Sequence, residues 1–85
     1  MESRVAVISI IVESGSTVDE LNSILHEYGE YIIGRMCIPY RQKNINIISI
    51  AVDAPQDKIS ALSGKIGKLS GISVKTAYSS VKENG

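Results

Sequence analysis

The stretch RVAVISIIVE, residues 4–13, decides the fold. It is β-branched almost throughout and poor in helix formers, so it reads as a strand. Its residues fall into two alternating sets: Ala6, Ile8, Ile10 and Val12 on one side, Val5, Val7, Ser9 and Ile11 on the other. Neither set is polar, which is the pattern of a strand covered on both faces. The rest of the chain must supply that cover, and its periodicities show how much it supplies.

Ser14-Gly15-Ser16-Thr17 turns the chain, with Ser16 or Thr17 placed to cap a helix and Asp19 and Glu20 complementing the helix dipole. At about 100° per residue, Val18, Leu21, Leu25 and Tyr28 share one face, with Ile24 at its margin. Gly29 is expected to close this helix in a left-handed cap. EYIIGRMCIPY (30–40) and INIISIAVD (45–53) are two strands joined by the polar turn RQKN (41–44). Pro55 opens a second helix, with Asp57 near its start, Lys65 and Lys68 near its end and Ile59, Leu62 and Ile66 on one face. Ser70-Gly71 ends it, GISVKTAYS (71–79) is the last strand, and residues 80–85 form a polar tail expected to fray.

The order β-α-β-β-α-β with right-handed crossovers gives an α+β fold of the ferredoxin-like split type. The sheet is antiparallel in the order 4-1-3-2 with both helices on one face, and residues 1–79 make a single domain. The other face then lacks cover. The third strand alternates between Ile48, Ile50, Val52 and Ile47, Ser49, Ala51, again without a polar set. Whichever set turns outward, an apolar patch remains that soluble monomers rarely expose. If Ala6 and Ile48 face the helices, the expected subunit interface is Val5, Val7, Ile11, Ile47, Ser49 and Ala51, in a homodimer or homotetramer. A chain of 85 residues is near the lower limit for a self-sufficient core, which favours assembly independently.

Composition excludes several functions. Nine Lys+Arg balance nine Asp+Glu, so the chain lacks the broad positive field of a direct nucleic-acid binder. Four tyrosines with no Trp or Phe leave little surface for stacking bases. No apolar run reaches the roughly 20 residues that cross a bilayer, no signal peptide precedes Arg4, and a single cysteine makes no intrachain disulfide. The expectation is a soluble cytoplasmic protein without a membrane contact.

Catalysis by Cys37 would need a nearby base, and a metal would need several convergent ligands. The chain has one cysteine and one histidine. His26 lies away from the apolar stripe of the first helix and should be exposed. Cys37, out of phase with Met36 and Ile38, should point to the open face if Met36 faces the helices. The two then lie on opposite sides of one chain, leaving a site shared between chains as the arrangement in which His26 and Cys37 could hold a metal. No enzyme and no cofactor is expected. The turn at Gly15, Ser16 and Thr17, before a helix N-terminus, is a candidate for a small anion or carboxylate, with Arg35 and Cys37 placed toward the same seam. Lys65, Lys68 and Lys75 are the first places to look for an anionic partner. Ser60, Ser63, Gly64 and Gly67 form a small-residue stripe on the second helix; since two glycines inside a helix cost about 1 kcal/mol each, the stripe is expected to meet the first helix or a neighbouring subunit, the alternative being that it admits a ligand or lets a loop move.

From Arg4 to Ser79 the chain resembles the iron-only hydrogenase system regulators, relatives of ACT domains and of the ligand-binding domain of nickel-responsive regulators. The resemblance is carried by Leu25-His26-Glu27-Tyr28, Gly34-Arg35-Met36, Ile38-Pro39-Tyr40-Arg41, Ile47-Ile48-Ser49-Ile50, Ala61-Leu62-Ser63-Gly64-Lys65 and Gly71-Ile72-Ser73-Val74-Lys75-Thr76. It implies an ACT-like regulatory module that senses a small-molecule effector and associates through its sheets or edges. ACT domains bind amino acids at the turn after the first strand, where Gly15 is the matching position. The histidine and cysteine set that binds nickel between subunits is not reproduced by His26 and Cys37, so nickel is not implied. The alternatives are an assembly module without a ligand and, further off, a transcription regulator acting through a DNA-binding partner.

Overall fold

The computed structural model describes residues 2–13 and 17–80. Four strands, β1 (Arg4–Val12), β2 (Ile32–Tyr40), β3 (Ile45–Ala54) and β4 (Ile72–Tyr78), form one antiparallel sheet in the order β2-β3-β1-β4. Two helices, α1 (Val18–Glu27) and α2 (Gln56–Gly67), lie on one face. The connection order and the sheet order are those expected of the α+β ferredoxin-like pattern.

The core follows from the two periodicities meeting. Ala6, Ile8, Ile10 and Val12 of β1 and Ile48, Ile50, Val52 and Ala54 of β3 are all buried, with Ile8, Ile50 and Val52 at 0% exposure. Against them α1 lays Leu21, Leu25 and Tyr28, and α2 lays Ile59, Leu62 and Ile66. Each such side chain contributes roughly 1.5–3 kcal/mol by leaving water. Pro55 takes the N-cap position of α2, and its carbonyl accepts from the Lys58 and Ile59 amides at 3.0 and 3.1 Å. A proline there costs no hydrogen bond, because its missing N–H would have no helical acceptor.

One local expectation is corrected and two are narrowed. Gly29 is not left-handed: it starts a 3-10 turn (Gly29–Tyr31) in which the Tyr31 amide donates to the Tyr28 carbonyl at 3.0 Å. The chain steps down into β2 instead of reversing, so no positive φ is needed; Gly71, at φ 74°, and Asn44, at φ 55°, take that role at the start of β4 and of β3. Thr17 occupies the N-cap position of α1 without capping it through its side chain. Of the small-residue stripe of α2, Ser63 and Gly67 meet β4. Ser63 and Thr76 hydroxyls share a hydrogen bond of 3.1 Å, and a Cβ on Gly67 would stand 3.3 Å from Val74 Cγ1. Gly64 has nothing within 4 Å of such a Cβ, so no close approach within the chain requires it.

Two polar clasps tie the helices down. The Lys65 ammonium donates to Glu27 Oε2 at 2.9 Å and sits 5.1 Å from the centre of the Tyr28 ring, joining α2 to α1. This raises the Lys65 pKa above its ordinary value, through the hydrogen bond to Glu27 first and the contact with Tyr28 second. In the second, Gln56 accepts from Arg4 Nη1 at 2.6 Å and donates to the Tyr78 hydroxyl at 2.9 Å, while the guanidinium lies 4.5 Å from the Tyr78 ring centre.

Candidate functional site

Among the described residues nothing covers the face of the sheet away from the helices, and that face is apolar. Residues directly opposite each other on antiparallel strands share a face. Val7 opposes Ala51, Ser9 opposes Ser49 and Ile11 opposes Ile47, all on the open side. Val5, Val7, Ile11 and Ile47 remain 38–42% exposed there, in contrast to Ala6, Ile8, Ile10, Val12 and Ile48, each one residue away from one of them, which are buried. The six residues expected at an interface, Val5, Val7, Ile11, Ile47, Ser49 and Ala51, lie together on this face.

The structure adds three residues from β2, and the cause is one bulge. Ile32 opposes Val52, but Gly34 already opposes Ala51, so Ile33 is an extra residue with no opposite number. It is 63% exposed. Because side chains alternate with a period of two, one inserted residue reverses the facing of all that follow. Met36 thus opposes Ser49 and Ile38 opposes Ile47 on the open side, with Tyr40 in the same phase. They are 40–55% exposed and extend the apolar patch to the sheet edge.

The same bulge corrects the placement of Arg35 and Cys37. Arg35 opposes Ile50 and Cys37 opposes Ile48, so both stand on the helix side of β2 and not on the open face. They are exposed because that edge strand runs beyond the cover of the helices. Cys37 is a free thiol, and His26 on α1 is exposed. They share the helix side of the sheet, so their separation onto opposite faces does not hold; among the described residues no group of three His, Cys, Asp or Glu side chains could hold a metal ion. Gly15 and Ser16 lie outside the described residues, and Thr17 is buried.

Pro39 sits in β2 opposite Asn46, on an edge strand where a missing amide leaves the ladder intact. Beside it a cleft of about 300 Å³ opens at the β2–β3 hairpin, lined by Val12, Pro39, Tyr40, Arg41 and the segment Asn44, Ile45 and Asn46. Arg41 is the charged residue of that lining. Val12 places the cleft at the end of β1 that leads into α1. No helix among the described residues is long and apolar enough to cross a membrane.

Comparison with known proteins identifies the kind of molecule this sheet belongs to. No curated protein matches the chain. Among solved structures, the uncharacterized protein TM1266 from Thermotoga maritima superposes with a TM-score of 0.87 at 36% identity, over 91% of this chain and 98% of that one. A formyltetrahydrofolate deformylase from Pseudomonas putida KT2440 matches with a TM-score of 0.62 at 14% identity. The match spans 86% of this chain but 28% of the deformylase, and shows a shared fold alone. The family model provisionally described as TM1266-like, iron-only hydrogenase system regulator, matches residues 4–76, and the chain belongs to that family.

Proposed function

We propose that the chain is a non-catalytic regulatory module that self-associates through the open face of its sheet and responds to a small molecule, in the service of the iron-only hydrogenase system. One observation carries the reading: Val5, Val7, Ile11 and Ile47, joined by Met36, Ile38 and Tyr40, leave a continuous apolar surface on the central and edge strands. A monomer would hold that surface in water at a cost, whereas a subunit interface turns it into binding energy. The family description supports the regulatory part. The effector part is supported by the cleft at the hairpin, whose volume is that of a small-ligand site and whose guanidinium, Arg41, suits a carboxylate.

Sedimentation velocity tests the assembly. A chain that stays monomeric up to hundreds of micromolar removes the reading. For the effector, a thermal-shift screen of free amino acids and other small carboxylates is expected to find one that raises Tm in proportion to RT ln(1 + [L]/Kd), an increase that Arg41→Ala abolishes. A screen flat across these compounds, with assembly intact, favours an assembly module without a ligand.

A further inference from the structure

We propose that the open face takes a second copy of this chain about a two-fold axis over Val7, so that Lys75 of each copy meets Asp53 of the other. This rests on the self-association proposed above and specifies its register. Of the side chains that the four strands turn to the open face, Lys75 and Asp53 are the charged ones. Both are exposed, and neither has an ion-pair partner among the described residues.

Their positions are symmetric about β1. Lys75 on β4 is level with Ser9, and Asp53 on β3 is level with Val5. β3 and β4 flank β1 on opposite sides, so the midpoint of the two charges falls on Val7. With strands about 4.8 Å apart and about 3.3 Å per residue, the charges are about 16 Å apart. An axis in the plane between two stacked sheets, over Val7 and perpendicular to the line joining the charges, exchanges their positions. One operation thus forms both ion pairs, which is the self-complementarity an isologous interface requires. A different protein partner gives no reason for this balanced placement.

The geometry is one that sheets adopt. The axis makes the strands of the two copies cross at about 70°, nearer the orthogonal than the aligned class of sheet packing. Stacked sheets lie about 10 Å apart, a gap that an extended lysine facing an aspartate bridges. Val7 and Ser9 fall near the centre, while Lys75 on an edge strand and Asp53 near a strand end stay at the rim, where they keep part of their hydration. Four strands give a face about 19 Å wide, and two such faces crossed at about 70° overlap over about 380 Å² each, so the contact buries on the order of 800 Å² in total, the size of a weak, reversible interface.

Charge reversal tests the register, with circular dichroism confirming that each variant is folded. Sedimentation equilibrium of the full chain is expected to show that Lys75→Glu and Asp53→Lys each weaken self-association by about tenfold or more, because each places like charges at both reciprocal contacts. The double variant is expected to return to within a few-fold of wild type. If Val7→Asp disrupts association but the double reversal fails to restore what the singles lose, the register is overturned while self-association stands. If the wild type remains monomeric, both are overturned and the face belongs to a different protein.

Discussion

The two faces of this sheet are built from the same residues and have opposite fates. On β1, Ala6, Ile8, Ile10 and Val12 are at 0–1% exposure, while Val5, Val7 and Ile11, each one residue away, stand at 39–42%. Chemistry does not separate Ile10 from Ile11. What separates them is that α1 and α2 cover one side and that no third layer among the described residues covers the other. Hydrophobicity in a central strand therefore specifies that a face will be covered, without specifying whether the cover comes from the same molecule.

The contrast is broken or sharpened most directly by truncating one residue on each side. Ile50→Ala, at the fully buried centre of β3, should cost about 3–4 kcal/mol in urea unfolding, a large part of the total for a domain this small. Ile11→Ala, measured dilute enough to be monomeric, should cost under about 1 kcal/mol, because its side chain is already partly in water. Equal losses at the two positions would mean that the open face is covered within one chain.

A smaller effect distinguishes the two glycines of α2. Gly64→Ala should stabilise the domain by about 0.5–1 kcal/mol, since the added methyl meets nothing and the helix gains propensity. Gly67→Ala should gain less or lose, because its Cβ would press on Val74 Cγ1 at 3.3 Å. Loss of association in Gly64→Ala with stability raised would assign that glycine to a contact outside the chain.

The smallest effect is electrostatic. The Lys65 pKa is raised in the folded state above its ordinary 10.5, so the pair with Glu27 contributes fully below that value. The contribution is lost as pH rises through the raised value. Glu27→Gln should therefore lower Tm slightly near neutral pH, with the difference from wild type shrinking in strongly alkaline solution. Both groups are exposed, so added salt should shrink it too.

Much of this architecture can be read from the chain. The 3.6-residue period in Leu21, Leu25 and Tyr28 and in Ile59, Leu62 and Ile66 fixes both helices and their buried faces, and the β-branched runs fix the strands. β1 and β3 do not reveal which of their sets meets the helices, because both sets are apolar; β4 does, through Lys75 among Ser73 and Ala77 opposite Ile72 and Val74. The phase of β2 is hidden for a different reason. Ile32 and Met36 sit an even number of residues apart and would share a face in a regular strand, so Arg35 and Cys37 are assigned to the wrong side unless the bulge is seen. Gly34 was the available signal, since a glycine inside a strand often marks such an irregularity. The clasp of Arg4, Gln56 and Tyr78 leaves no trace in local sequence, because it joins residues far apart in the chain.

The extra residue at Ile33 gives β2 something like a reading frame. Its outward surface depends on whether the ladder absorbs that residue in a bulge, as well as on which residues follow. Pairing Ile33 with Ala51, in a ladder without the bulge, would leave every letter unchanged and yet turn Met36 and Ile38 toward the helices while bringing Arg35 and Cys37 onto the open side. A hydrophobic margin would become a cationic one carrying a free thiol. Deleting Ile33 would instead leave a regular strand with Met36 and Ile38 still outward, so the bulge is what lets the longer chain keep the same surface.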